Sequence, residues 1–100
     1  MQPNMKMIQQ MQQRLMKAQE ELGNETVEGT AGGGAVTVTM NGHLKALAVK
    51  IEPSAVDPDD VELLEEMVLG AVGDAVQKAQ DLAAQRMQAI TGGLKIPGLM

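Results

Sequence analysis

Beginning at Val61, apolar residues recur at spacings of three and four: Val61, Leu64, Val68, Val72, Ala75, Ala79 and Leu82. That is the period of one helical face. The run extends to Ile90, where Thr91-Gly92-Gly93 stops it. Counted from Asp57-Pro58, with Asp57 as N-cap, Pro58 at the first helical position and acids in the first turn, the helix exceeds roughly 30 residues, about 45 Å if straight. A small sheet cannot cover such a length. Arg86 falls on the apolar stripe itself, so burial should give out beyond about Leu82, and the end of the helix is expected to project as an arm. Gly70 and Gly73 weaken its middle and mark a kink or a close approach.

A second helix is expected over Met1–Leu22. Met1, Ile8, Leu15 and Leu22 repeat every seven residues, with Met11 and Ala18 between them and one gap at Asn4. The seam predicts burial of Ile8, Leu15 and Leu22. Lys6, Arg14 and Lys17 fall within an arc of about 80° on the side away from it. Gly23-Asn24 ends this helix.

Between the helices the period changes to two. Thr26–Ala31 reads as a short strand interrupted by Gly29, and Gly32-Gly33-Gly34 as its connection to Val36, Val38 and Met40, which alternate with Thr37 and Thr39. Asn41-Gly42 predicts a type I′ hairpin turn with positive φ at both positions. Lys45–Ile51 resumes the alternation, with Leu47, Val49 and Ile51 on one face, and Pro53 closes it. The expected fold is α+β: one domain over residues 1–100, ordered α-β-β-β-α, with a three-stranded antiparallel sheet, a long C-terminal helix and an irregular apolar tail at 94–100.

The core must be built without Phe, Tyr or Trp, from aliphatic residues and nine Met, within a chain that is 44% hydrophobic. Met specifies packing poorly, and a small core of this kind favours oligomerisation as a source of further buried area. Disulfides and thiolate metal sites are excluded, because the chain has no Cys. No apolar run approaches a membrane span and the N-terminal stretch does not read as a signal peptide, so a cytoplasmic protein is expected.

Catalysis finds no candidates. His43 is the single His and reads as part of the hairpin turn. The acids at 57–66 lack calcium-loop spacing, and the triple Gly lacks the ending of a phosphate loop. No enzyme activity, metal, cofactor or small-molecule substrate is expected.

Charge is partitioned within a net −5. Lys6, Arg14 and Lys17 meet no acid in the first 19 residues. Glu52, Asp57, Asp59, Asp60, Glu62, Glu65 and Glu66 meet no base. Lys78, Arg86 and Lys95 outnumber Asp81 near the end, and all ten Gln lie in the two helical ends. Without aromatic platforms for single-stranded bases, any nucleic-acid partner is expected to be a duplex backbone, met through Lys, Arg and Gln.

Several segments in order, Val27-Glu28-Gly29-Thr30-Ala31-Gly32-Gly33-Gly34, the Asn41-Gly42 hairpin, Ile51-Glu52-Pro53, Asp57-Pro58-Asp59-Asp60-Val61-Glu62-Leu63-Leu64-Glu65-Glu66 and Thr91-Gly92-Gly93-Leu94-Lys95-Ile96-Pro97-Gly98-Leu99, resemble the YbaB/EbfC family of bacterial nucleoid-associated proteins. The resemblance spans nearly the whole chain; Gly70 and Gly73 depart from the good helix formers expected there. It implies a tweezer-like homodimer in the cytoplasm and nucleoid. That dimer would bind double-stranded DNA largely without base-specific contacts and affect nucleoid organisation or gene expression. Joined to the charge pattern, it makes Lys6, Arg14, Lys17, Lys78 and Arg86 the DNA-contact candidates, with Gln9, Gln13, Gln85 and Gln88 as auxiliary donors. The competing expectation is a scaffold dimer that binds proteins and scarcely touches DNA, consistent with the negative net charge, the seam and the apolar tail.

Overall fold

The structure, a computed structural model, describes residues 5–91. Met1 and Asn4 of the seam, the Gly92-Gly93 stop and the 94–100 tail lie outside the described residues. Helix α1 spans Met5–Asn24 and strand β1 spans Thr26–Ala31. A 3-10 turn at Gly32–Gly34 leads to β2, Val36–Asn41, and then β3, Ala46–Ile51. After a second short turn at Pro53–Ala55, α2 runs unbroken over Val61–Thr91, through both Gly70 and Gly73. The strands form an antiparallel sheet in the order β1-β2-β3.

The core lies where α2 crosses β1 and β2. Val36, Val38 and Met40 point from β2 into Ala71, Ala75 and Ala79, all buried. Three Ala one turn apart give the helix a flat face, and Gly29 lets that face come close. Gly29 does not interrupt β1: it is buried and paired with Val38. A Cβ there would stand 2.2 Å from the Ala75 nitrogen and 2.3 Å from the Ala71 oxygen. Small residues on both surfaces thus replace the aromatic bulk the chain lacks.

Strand β3 differs. Ile51 pairs with Val36 and Val49 with Val38, so Leu47, Val49 and Ile51 continue the face that α2 covers. Yet α2 packs mainly on β1 and β2, and every residue of β3 is exposed.

The hairpin does not have the expected type I′ geometry. Neither Asn41 nor Gly42 has positive φ; Leu44 does, at 65°. The Asn41 amide bonds the Lys45 carbonyl and the Leu44 amide bonds the Asn41 carbonyl, as in a three-residue connection closed by a left-handed residue. The reason lies outside the hairpin. Gly42 donates its amide to the Leu22 carbonyl (2.8 Å) at the end of α1, and a Cβ at Gly42 would fall 2.6 Å from that oxygen. The Asn41 amide group reaches the Gly23 carbonyl (3.2 Å), and its side-chain oxygen accepts from the amides of His43 and Lys45. His43, expected only to decorate the turn, donates from Nε2 to the Gln19 carbonyl (2.6 Å). The turn residues therefore cap α1 and dock it on the sheet.

The start of α2 is also displaced from the expected position. Asp57 spends its carboxylate on the Asp59 amide (2.9 Å) in a local turn around Pro58. Asp60 is the N-cap, accepting from the Leu63 amide three residues on (3.3 Å).

Burial along α1 falls from its C-terminus outward. Leu22 is 1% exposed and Ala18 is buried; Leu15 and Met11 are half-buried, while Ile8 is 46% exposed, contrary to the seam's expectation. The end of α2 does run past the sheet, but not alone. Arg86 meets Glu25 just after α1, while Ala89 and Ile90 lie beside Ala18, Lys17 and Arg14. The two helices therefore run antiparallel as a two-helix arm, with Leu82, Ala83 and Ile90 half-buried.

Candidate nucleic-acid interface

Arg14 and Lys17 occupy the arm's flank. Both line an open groove of about 230 Å³ between α1 and α2, together with Ala18, Glu21, Arg86, Ala89 and Ile90. Both also line an adjoining hollow of about 280 Å³ with Gln10 and Gln13. They border the seam rather than lying opposite it, because Arg14 precedes the buried Ala18 by four residues, a step of about 40° around a helix. The arrangement offers two cations and two amides on one open surface, with the Glu21 carboxylate beside them. Such a surface suits the oxygens of a phosphodiester chain better than an enclosed small molecule.

The remaining candidates do not all join this cluster. Lys6 is exposed on the same helix, two turns nearer its start, about 12 Å from Arg14. Gln9, Gln85 and Gln88 are exposed on the arm. Lys78 belongs to another place: its ammonium pairs with Asp74 (3.1 Å) and donates to the Glu28 carbonyl of β1 (3.0 Å). Asp74 also accepts from the Thr30 amide (3.0 Å). That amide first, and the Lys78 hydrogen bond and charge after it, hold the Asp74 carboxyl below its usual value, although burial works the other way. Arg86 is at the groove but engaged by Glu25, whose Oε2 is buried with no hydrogen-bond partner among the described residues.

Sequence reasoning missed both acids. Asp74–Lys78 was readable, since an acid four residues before a base on a helix is a favourable pair. Glu25 and Arg86 stand 61 positions apart, and no local pattern links them.

The acids at 62–66 lie at the opposite end of α2, roughly 30 Å or more from Arg86 along the helix. Glu62, Glu65 and Glu66 surround a separate exposed hollow with Leu69. Among the described residues no three His, Asp or Glu side chains gather as a metal site, and no helix is long and apolar enough to cross a membrane.

An open three-stranded sheet flanked by two helices, with Arg14 and Lys17 on a two-helix arm at one end and a cluster of acids at the other, defines an α-β-β-β-α domain. A crystal structure of an uncharacterised Helicobacter pylori protein shares the fold, with a TM-score of 0.68 and 17% identity over 94% of this chain and the whole of that one. The YbaB/EbfC DNA-binding family model matches residues 1–94. A nucleoid-associated protein of Pelotomaculum thermopropionicum is 56% identical over 95 residues, which cover 95% of this chain and 90% of that protein. One from Chloroflexus aurantiacus is 58% identical over 91% of both chains. This chain belongs to the YbaB/EbfC DNA-binding family.

Proposed function

We propose that the protein is nucleoid-associated, binds duplex DNA as a homodimer without base-specific readout, and acts by binding rather than catalysis. The observation that carries this reading is the meeting of Arg14 and Lys17 with Gln10 and Gln13 on the arm's open flank, where Glu21 also lines the groove, while the cluster of Glu62, Glu65 and Glu66 lies at the far end of α2. Lys6 extends the cationic track along α1. Lys78, whose charge is matched by Asp74, is the weakest of the contacts. A few Lys, Arg and Gln on one helix flank offer little base-edge discrimination, so any preference among sequences arises from duplex shape.

Dimerisation is supported by the bare strip of Leu47, Val49 and Ile51 beside a core already completed by α2. A second copy that covers β3 would supply the buried area an aromatic-free core lacks and would double the cationic flanks.

Titration of a labelled duplex at several salt concentrations tests the reading, with sedimentation equilibrium for the dimer. Log affinity should fall with log salt by about 0.9 for each phosphate neutralised, and Arg14→Ala with Lys17→Ala should flatten the slope by about 3 to 4 per dimer. The loss should be equal for unrelated sequences. Absence of binding at low salt would transfer the function to a protein-binding scaffold, and a folded monomer at micromolar concentration would remove the dimer.

A further inference from the structure

Arg14, Lys17 and Arg86 line one groove, but they are not equivalent. Arg14 and Lys17 are exposed. The Arg86 guanidinium is half-buried and bonded to Glu25, which lies in the turn between α1 and β1. The Glu25 carboxylate has one oxygen on Arg86 and the other buried with no hydrogen-bond partner among the described residues. Its charge is therefore compensated through Arg86. Moving the guanidinium to a phosphate would leave a partly buried carboxylate unpaired, which costs more than one exposed phosphate contact returns.

The pair also sits at a mechanically useful point. Glu25 follows directly on α1, and Arg86 is on the stretch of α2 that has left the sheet. One bond thus ties the base of the arm across its two helices, one turn of α2 from Ile90, which lines the groove with Arg14 and Lys17.

We propose that Arg86 is a positioning residue: clasped by Glu25, it fixes α1 against the end of α2 so that Arg14 and Lys17 are presented together, and it takes no share of the phosphate chain. This rests on the duplex-binding reading above. It separates from that reading because it concerns which cations contribute to the salt dependence, and not whether the dependence exists.

The decisive experiment compares salt slopes of duplex binding for the full-length parent, Glu25→Gln, Arg86→Met, the double variant Glu25→Met with Arg86→Met, and Arg14→Met with Lys17→Met. A positioning role predicts that Glu25→Gln lowers affinity severalfold with the parent's slope. Arg86→Met, which strands Glu25, should lose about tenfold or more in affinity and melt earlier. The apolar double variant, which removes both charges, should recover most of that loss, again at the parent's slope. If Arg86 instead binds phosphate and Glu25 only restrains it, Glu25→Gln will steepen the slope or the double variant will flatten it, the two changes together amounting to about 0.9 per arm, near 1.8 per dimer. Either change overturns the proposal, and the Glu25→Gln result stands even if the double variant does not fold. Should Arg14→Met with Lys17→Met keep the parent's affinity and slope, the groove is not the DNA site, and the duplex-binding reading fails independently of the clasp.

Discussion

The two halves of α2 hold their surroundings by different means. Over the sheet, Ala71, Ala75 and Ala79 pack with Val36, Val38 and Met40 in the buried core, and at Gly29 the α2 backbone comes so close that a Cβ would collide with it. Along the arm, contact with α1 is looser: half-buried Leu82, Ala83 and Ile90, the buried Ala18, and the Arg86–Glu25 pair. The first half is fixed by shape and the second by a narrow apolar strip and charge. Substitutions over the sheet should therefore act on folding, and substitutions along the arm on binding.

The sharpest way to break the contrast is Gly29→Ala. A Cβ at this position meets the α2 backbone rather than a flexible side chain, so the helix must lift from the sheet. Overpacking usually costs about 1–3 kcal/mol and sometimes more; with backbone as the obstacle, about 3 kcal/mol or more is expected from denaturant unfolding. A change within 0.5 kcal/mol would show that α2 rides higher on β1 than described.

The gradient along α1 gives the next test. Leu22→Ala, at a site 1% exposed, should cost about 3 kcal/mol. Leu15→Ala should cost about 1–2 kcal/mol because its site is only half-buried, and Ile8→Ala under about 0.5 kcal/mol in the isolated protomer. Equal losses at Leu22 and Ile8 would mean that the dimer covers the outer half of the seam.

A pH series compares the Asp74 clasp, at the edge of the sheet-packed half, with the rest of the fold. Its carboxyl is held below its ordinary value by the Thr30 amide and Lys78. The contribution is therefore present at neutral pH and is lost as pH falls from the ordinary Asp value through the lower folded one. Asp74→Asn should be less stable than the parent at pH 7, and the difference should close below about pH 4. A difference that persists unchanged at low pH would assign the effect to the amide's shape and not to its charge.

Much of this architecture was legible. The period-two run, the apolar stripe and the Gly23-Asn24 break order the elements as α-β-β-β-α, because each signal is local. What escaped was set by partners far along the chain. Gly29 looked like a strand breaker because the helix it admits lies more than 40 residues on. Asn41-Gly42 carried a turn signal that is right in place but wrong in type, because Gly42 gives its amide to Leu22. Among Asp57, Asp59 and Asp60, any could cap a helix; Pro58 and the Asp59 amide draw Asp57 into a turn and leave Asp60. At the groove, the gathering of Arg14 and Lys17 on α1 was readable from charge segregation, whereas the engagement of Arg86 by Glu25 was not.

The smallest expected effect concerns Gly73, which departs from helix-forming residues in the middle of α2. A Cβ there meets nothing within 4 Å, and its backbone is helical without positive φ. Glycine in a helix interior is less favourable than alanine by about 0.5–1 kcal/mol, through the extra freedom it loses on folding. If the position faces solvent in the working assembly, Gly73→Ala should raise stability by about that amount and leave sedimentation and duplex affinity as they were. Gly70 is the control on the neighbouring face, where an added Cβ would meet the Ala31 Cβ at an ordinary 3.5 Å. A stabilised dimer in both variants would show that neither glycine is needed for close approach. If Gly73→Ala alone weakens the dimer, the second protomer crosses α2 at Gly73, and the glycine provides for its partner the clearance that Gly29 provides within the chain.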